Sequence, residues 1–292
     1  MNVQHFLCSA VVCLLLFGCK PAETPSSAVI TPAAVTKVAE APPEPKTAPC
    51  QLKLGFESWE PYQYVGLEQK ASGLDIEIVQ AVAGRMNCTL VLQHGTWQEL
   101  LGQFRQGQLD VLSHLSFSEQ RKQQFAFIGP HHTEAIYLVG DPAALPASSQ
   151  LSDLIDKVDY GRIAVLHGAY YGEEFAQLSQ QPALQRQLVV ISSIQDKLAL
   201  LRAGRVNAIL EDISVLHYWQ QHHYPDAGQY QPLLKVYESP VYFGFSKAAL
   251  PASTLARLAQ AWQRLYQQGE LTAIYQKYHI SNYADLIPAS IL

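Results

Sequence analysis

The sequence predicts an α/β protein of two lobes, each a mixed sheet flanked by helices, joined by two hinge crossovers. Three observations carry that expectation. Apolar runs of strand length alternate with amphipathic stretches of helical period, the order that builds strand–helix–strand units. One plan occurs twice: a polar cap, a helix, a stop with Arg and Gly, and a strand over residues 96–112, then again over 193–210. The chain also crosses between the halves twice, after Tyr137 and near Tyr237, which makes a hinged pair. The expected division gives residues 50–138 and 241–292 to lobe 1 and 139–240 to lobe 2.

Composition sets the outer limits. The chain has 292 residues, 48% of them hydrophobic, enough for one large core or two modest ones. Its 20 Lys and Arg are dispersed and outnumbered by 25 Asp and Glu, so no nucleic-acid surface is expected. Phe6 to Phe17 is apolar but too short to span a bilayer and reads as an export signal. Leu16-Phe17-Gly18-Cys19 resembles the lipobox of bacterial lipoproteins. That resemblance implies a signal peptide over 1–18 and a lipid on Cys19; an ordinary cleaved signal and an uncleaved anchor are the alternatives. By similarity to Gram-negative sorting, Lys20 favours the outer membrane. Residues 19–49 are rich in Pro and Ala without apolar period and cannot repay ordering entropy, so a disordered tether is expected.

Leu52 to Phe56 opens the folded part as a strand, and Glu57 to Tyr62 is the loop at its carboxyl end. Gly73-Leu74-Asp75 starts a helix whose Leu74, Ile78, Val82 and Met86 form one stripe. Cys50 and Cys88 precede two strands of the first strand–helix–strand unit. Adjacent parallel strands would bring them close enough for a disulfide, the alternative being two buried thiols. Thr96-Trp97-Gln98-Glu99 is a capping box ahead of a helix with Leu100, Leu101 and Phe104. The apolar run Leu109 to Leu112 is a buried strand, and Ser113 to Arg121 a polar turn at its carboxyl end. Open α/β sheets bind ligands there. Ser118 is the expected N-cap of a short helix carrying Arg121, and donors of that kind suit a carboxylate.

In the second lobe, Arg162 to Leu166 and Val206 to Leu210 are strands, Tyr171 to Gln180 a helix, and Ser193-Ile194-Gln195-Asp196 a cap. Val236 to Phe245 returns as an aromatic, β-branched run broken at Pro240. Helices over Ala252 to Gln268 and Leu271 to Tyr278 close the sequence.

Together Gly73-Leu74-Asp75-Ile76-Glu77, Trp97 to Asp110, Ser116-Phe117-Ser118-Glu119-Gln120-Arg121, Phe125 to Pro130, Gly204-Arg205-Val206-Asn207-Ala208 and Tyr275-Gln276-Lys277-Tyr278 resemble the family 3 periplasmic solute-binding proteins. The resemblance covers about Leu52 to Tyr278. It implies the two-lobed periplasmic-binding-protein fold of type II and a small polar amino acid as ligand. It further implies an ABC permease or membrane sensor as partner, a monomer, and no cofactor. By the same resemblance Arg121 grips the α-carboxylate with Ser116 and the backbone around His114, Asp212 takes the α-ammonium, Trp59 stacks on the ligand, and Glu57 lies nearby. Four positions depart from the family: Ala169 replaces a hydroxyl, His131-His132 an aromatic pair, and His114 a small residue.

Each residue also has a plainer reading: Arg121 as a surface arginine, Trp59 as packing, Asp212 as the N-cap of a helix starting at Ile213. The leading expectation is a lipid-tethered, periplasmic binding protein that closes on an amino acid for uptake or sensing and is not an enzyme. The runner-up is a lyase similar to the cyclohexadienyl dehydratases, with Glu57, Glu173 or Glu211 as the acid. A third reading is an orphan envelope module with a degenerate site. His131-His132, His217, His222 and His223 are framed by no HExxH or paired CxxC, so no metal is expected.

Overall fold

Two long antiparallel strands, Phe125–Gly140 and Gln231–Ser246, run through both halves of the protein and organise everything else. In this computed structural model the described residues are 50–156, 160–223, 228–280 and 289–291. The expected signal peptide, Cys19 and tether lie outside them.

In chain order the first half contains β1 (Gln51–Phe56), the short ribbon β2 (Tyr64–Val65) and β3 (Ala71–Ser72), α1 (Leu74–Arg85), β4 (Thr89–His94), α2 (Trp97–Arg105), β5 (Val111–Ser116), α3 (Glu119–Lys122) and β6 (Phe125–Gly140). Next come α4 (Asp153–Asp156), β7 (Ile163–Leu166), α5 (Glu173–Leu178), α6 (Pro182–Gln185), β8 (Leu188–Ile191), α7 (Ile194–Arg202), β9 (Ala208–Asp212) and α8 (Ile213–His222). The chain returns through β10 (Gln231–Ser246) to α9 (Ala252–Gln267), α10 (Glu270–Lys277) and β11 (Ala289–Ile291).

The main sheet has nine strands among the described residues, in the order β4-β1-β5-β10-β6-β9-β7-β8, with β11 also on β6. β1 pairs parallel with β4 and β5, as β7 does with β8 and β9, so the two halves repeat one parallel plan. β5 meets β10 at Val241–Phe245, while β9 meets β6 at Ile136–Gly140. The first crossing therefore lies upstream of Ile136, a few residues before the expected position, because Ile136–Gly140 already pairs with the second half. β10 continues through Pro240, which pairs in register with Thr133 where β10 has not yet met β5.

Local physics accounts for the elements. Leu74, Ile78, Val82 and Met86 are all buried, as their spacing requires. Gly73 precedes α1 at φ 121°, where a Cβ would strike the Tyr62 carbonyl, so only glycine permits that close approach. Thr96 and Glu99 form the reciprocal capping box of α2. Ser193 precedes α7, but its hydroxyl makes no cap. Cys50 and Cys88 are joined with Cα atoms 4.4 Å apart at the start of the β1–β4 ladder. Two cores result, one including Leu54, Phe104 and Trp262, the other Tyr160, Ile163 and Leu210.

β5 extends to Ser116, so Ser113 and His114 lie in the strand and the turn begins only at Phe117. The polar turn expected from Ser113 thus starts four residues later. Polar Ser113 can remain in a buried strand because its hydroxyl donates to the Gln63 side chain.

Candidate functional site

Where the two halves meet, they enclose a cavity of about 60 Å³. Trp59 and Gln63 reach it from the loop after β1, His114 and Ser116 from β5, and Arg121 from α3. Glu134 enters from β6, Ala169 and Tyr170 from the loop after β7, Lys197 from α7, and Glu211 from β9. Trp59, His114, Ser116, Arg121 and Ala169 thus come together at one cavity. Glu57 and Asp212 do not line the cavity.

Ser118 caps α3, its hydroxyl accepting from the Arg121 N–H at 3.2 Å, and this local turn aims the guanidinium. Arg121 Nη1 donates to the Ser116 carbonyl at 2.8 Å and Nη2 to the Gly168 carbonyl at 3.0 Å, so the side chain links the two halves. Burial lowers its pKa to about 10 against the pull of Glu134, which leaves it charged at neutral pH. The Ser116 hydroxyl donates to Glu134 Oε1 at 2.5 Å, and His114 Nε2 lies 3.6 Å from Glu134 Oε2. Burial alone would push the His114 pKa down. The adjacent Asp75 and Glu134 outweigh it and raise the value to about 9, so His114 is a cation.

The opposite wall is a second charge pair. Lys197 Nζ is 2.7 Å from Glu211 Oε2, and Trp59 Nε1 donates to Glu211 Oε1 at 3.0 Å. Trp59 sits edge-on to His114, with centroids 4.2 Å apart, and so forms the floor between the two charged walls. Arg121, His114 and Lys197 supply positive charge; Glu134 and Glu211 supply negative. Such a surface can hold both ends of a zwitterion in fixed positions.

Asp212 lies fully buried behind this surface. Its Oδ1 accepts from Tyr62 OH at 3.1 Å and from the N–H groups of Ser214 and Val215 at the start of α8, and its Oδ2 accepts from Ala135 N–H at 2.9 Å. Burial raises its pKa, against the Ala135 hydrogen bond and the His114 charge. The capping role therefore occupies the carboxylate. Glu57 is likewise committed: it accepts from Trp97 N–H at 2.6 Å, from Ile194 N–H at 2.9 Å and from the Ser193 hydroxyl. One carboxylate thereby serves the first turns of α2 and α7, helices of opposite halves.

Beneath the cavity floor lies a fully buried polar group. Asp75 Oδ1 is 3.5 Å from His131 Nδ1, Asp75 Oδ2 is 3.6 Å from His114 Nδ1, and the Nδ1 atoms of His131 and His132 are 2.8 Å apart. His114 enters this group at φ 56°, a region few non-glycine residues occupy.

Gln63, Glu134 and Lys197 escaped the sequence reading. Glu134 follows the His131-His132 departure by two positions, and that proximity was the available signal. Lys197 sits one turn into α7, where charge usually means a solvated face; here it is 4% exposed. Glu173, considered as an acid, lies on the exposed start of α5 and does not line the cavity.

Residues 52–281 match the family model of the bacterial extracellular solute-binding proteins, family 3. A probable histidine-binding protein of Neisseria gonorrhoeae is 21% identical over 221 residues, covering 75% of this chain and 78% of that protein. Among solved structures, a histidine kinase sensor domain with similarity to periplasmic binding proteins superposes with a TM-score of 0.66 at 22% identity, covering 78% of this chain and 95% of that one. An ancestral arginine-binding protein bound to arginine gives 0.67 at 20% identity, covering 78% and 97%. These structures share the two-lobed fold.

Proposed function

The chain belongs to the bacterial extracellular solute-binding proteins of family 3, and from that premise we propose that its lobes close around a small polar amino acid. The ligand carboxylate rests on Arg121 beside Ser116. Its ammonium rests on Glu134, since every oxygen of Asp212 already accepts hydrogen bonds from the protein. Trp59 packs against the ligand, and Lys197 with Glu211 meets its polar side chain. The observation that carries this reading is Ser116, which touches Arg121 through its carbonyl and Glu134 through its hydroxyl. Opposite charges are thus held on either side of one residue at the cavity wall. The liganded form, monomeric and tethered on the periplasmic side through a lipid on Cys19, serves an ABC permease or a membrane sensor. Outer-membrane sorting through Lys20 belongs to the same proposal.

A thermal-shift screen with the twenty amino acids and related small acids tests it. One or a few polar amino acids should raise the unfolding midpoint, and Arg121→Ala should remove the rise. A flat response in the native protein, with Arg121→Ala equally indifferent, would favour the orphan module.

His114 and Lys197 add two cations to the cavity that Arg121 lines, and this supports a second reading: a lyase acting on a dicarboxylate. Incubation with prephenate or arogenate, followed by absorbance of an aromatic product, separates the two; only the lyase produces one.

A further inference from the structure

We propose that Asp75, His131 and His132 form a binding site for a late first-row divalent cation of the zinc class, buried beneath the floor of the ligand cavity. Each offers one ligand atom, and those atoms all lie within 4.8 Å of one another. The separations of 2.8 Å between the two histidine Nδ1 atoms and 3.5 Å from His131 Nδ1 to Asp75 Oδ1 bracket the roughly 3.3 Å edge of a tetrahedron with metal–ligand bonds near 2.0–2.1 Å. Two imidazoles and a carboxylate suit zinc, cobalt or nickel, whereas magnesium and calcium prefer oxygen throughout.

A second, independent observation points the same way. Asp75 is fully buried, and neither of its oxygens has a hydrogen-bond donor. The His114 cation opposes its charge from 3.6 Å but makes no hydrogen bond to it, and a coordinated cation would supply the direct bond the carboxylate lacks. Its histidine neighbours stand at ion-pair range, beyond a hydrogen bond. The rings are also oriented in advance: His132 stacks on Tyr62 with planes 11° apart and His131 on Phe243 with planes 22° apart. His114, a cation 3.6 Å from Asp75 Oδ2, stays outside the coordination sphere, and the fourth position of the ion falls to water. Such a site would tie the start of α1 to β6 directly under Trp59 and Tyr62, and its burial means that the ion enters as the chain folds.

The full chain, unfolded in guanidinium with EDTA, refolded with or without Zn²⁺ and desalted, tests this by metal analysis and circular dichroism. Refolding with Zn²⁺ should leave one zinc per chain and raise the unfolding midpoint. The pair His131→Phe and His132→Phe preserves both ring stacks; it should fold and retain less than roughly a tenth as much zinc. The pair His217→Gln and His222→Gln, on the exposed face of α8, should retain the full amount. Native protein that carries no zinc through desalting, or a phenylalanine pair that carries it undiminished, overturns the proposal. If the phenylalanine pair does not fold, Co²⁺-refolded native protein decides: intense visible bands of a four-coordinate ion are expected, and the weak bands of a six-coordinate hydrated ion would refute the site.

Discussion

At the scale of single residues, the cavity turns on which carboxylate is free to act. Asp212 and Glu134 are both buried, yet Asp212 is saturated by backbone N–H groups and Tyr62, whereas Glu134 faces the cavity. Asparagine caps helices about as well as aspartate. Asp212→Asn should therefore keep ligand affinity within about threefold, while Glu134→Gln should weaken it by more than tenfold, or about 1.4 kcal/mol. Calorimetric titration with the best ligand of the screen reads both, and the reverse order would restore Asp212 as the ammonium partner. Arg121→Ala should cost about 2 to 5 kcal/mol of binding, as removal of one member of a buried charge pair does. Arg121→Lys should recover only part of that, because an ammonium cannot reach the Ser116 and Gly168 carbonyls in the guanidinium's fork geometry.

At the scale of elements, the contrast between α2 and α7 separates what sequence can reveal from what it cannot. The Thr96–Glu99 box is a local agreement among adjacent residues and was legible directly; Thr96→Ala should lower stability by about 1 kcal/mol in a denaturant melt. Ser193-Ile194-Gln195-Asp196 looks like a similar start, but Ser193 gives its hydroxyl to Glu57. Glu57 is remote in sequence, and nothing around Ser193 announces it. The same divide runs through the whole chain. The α1 stripe, the repeated parallel plan, Ser118 with Arg121, and the joined Cys50 and Cys88 followed from spacing and turn chemistry. The full length of β6 and β10, the extension of β5 through Ser113 and His114, and the burial of Lys197 depend on partners supplied from distant elements. Pro240 illustrates the point: it looked like a break, yet it pairs in register with Thr133 where β10 has not yet met β5, so its other edge needs no donor.

At the scale of the whole molecule, the disulfide closes a separation of 38 residues. The chain-entropy relation assigns it about 4 kcal/mol, so melting with and without reductant should show a destabilisation of that order. The halves are further joined by Glu57 at two helix starts, Trp59 to Glu211, Tyr62 to Asp212, and Arg121 to Gly168. Glu57→Ala should loosen this arrangement and increase the radius of gyration measured by solution scattering; an unchanged radius would show that the remaining bonds suffice. These bonds run between protein groups alone, so each must break before the halves can part. A solute enters and leaves only while the halves are parted, and in the proposed liganded form they are together again with the same bonds remade. Weakening the doorway from afar, without touching a contact atom, should therefore quicken capture and release together and leave the equilibrium affinity nearly unchanged.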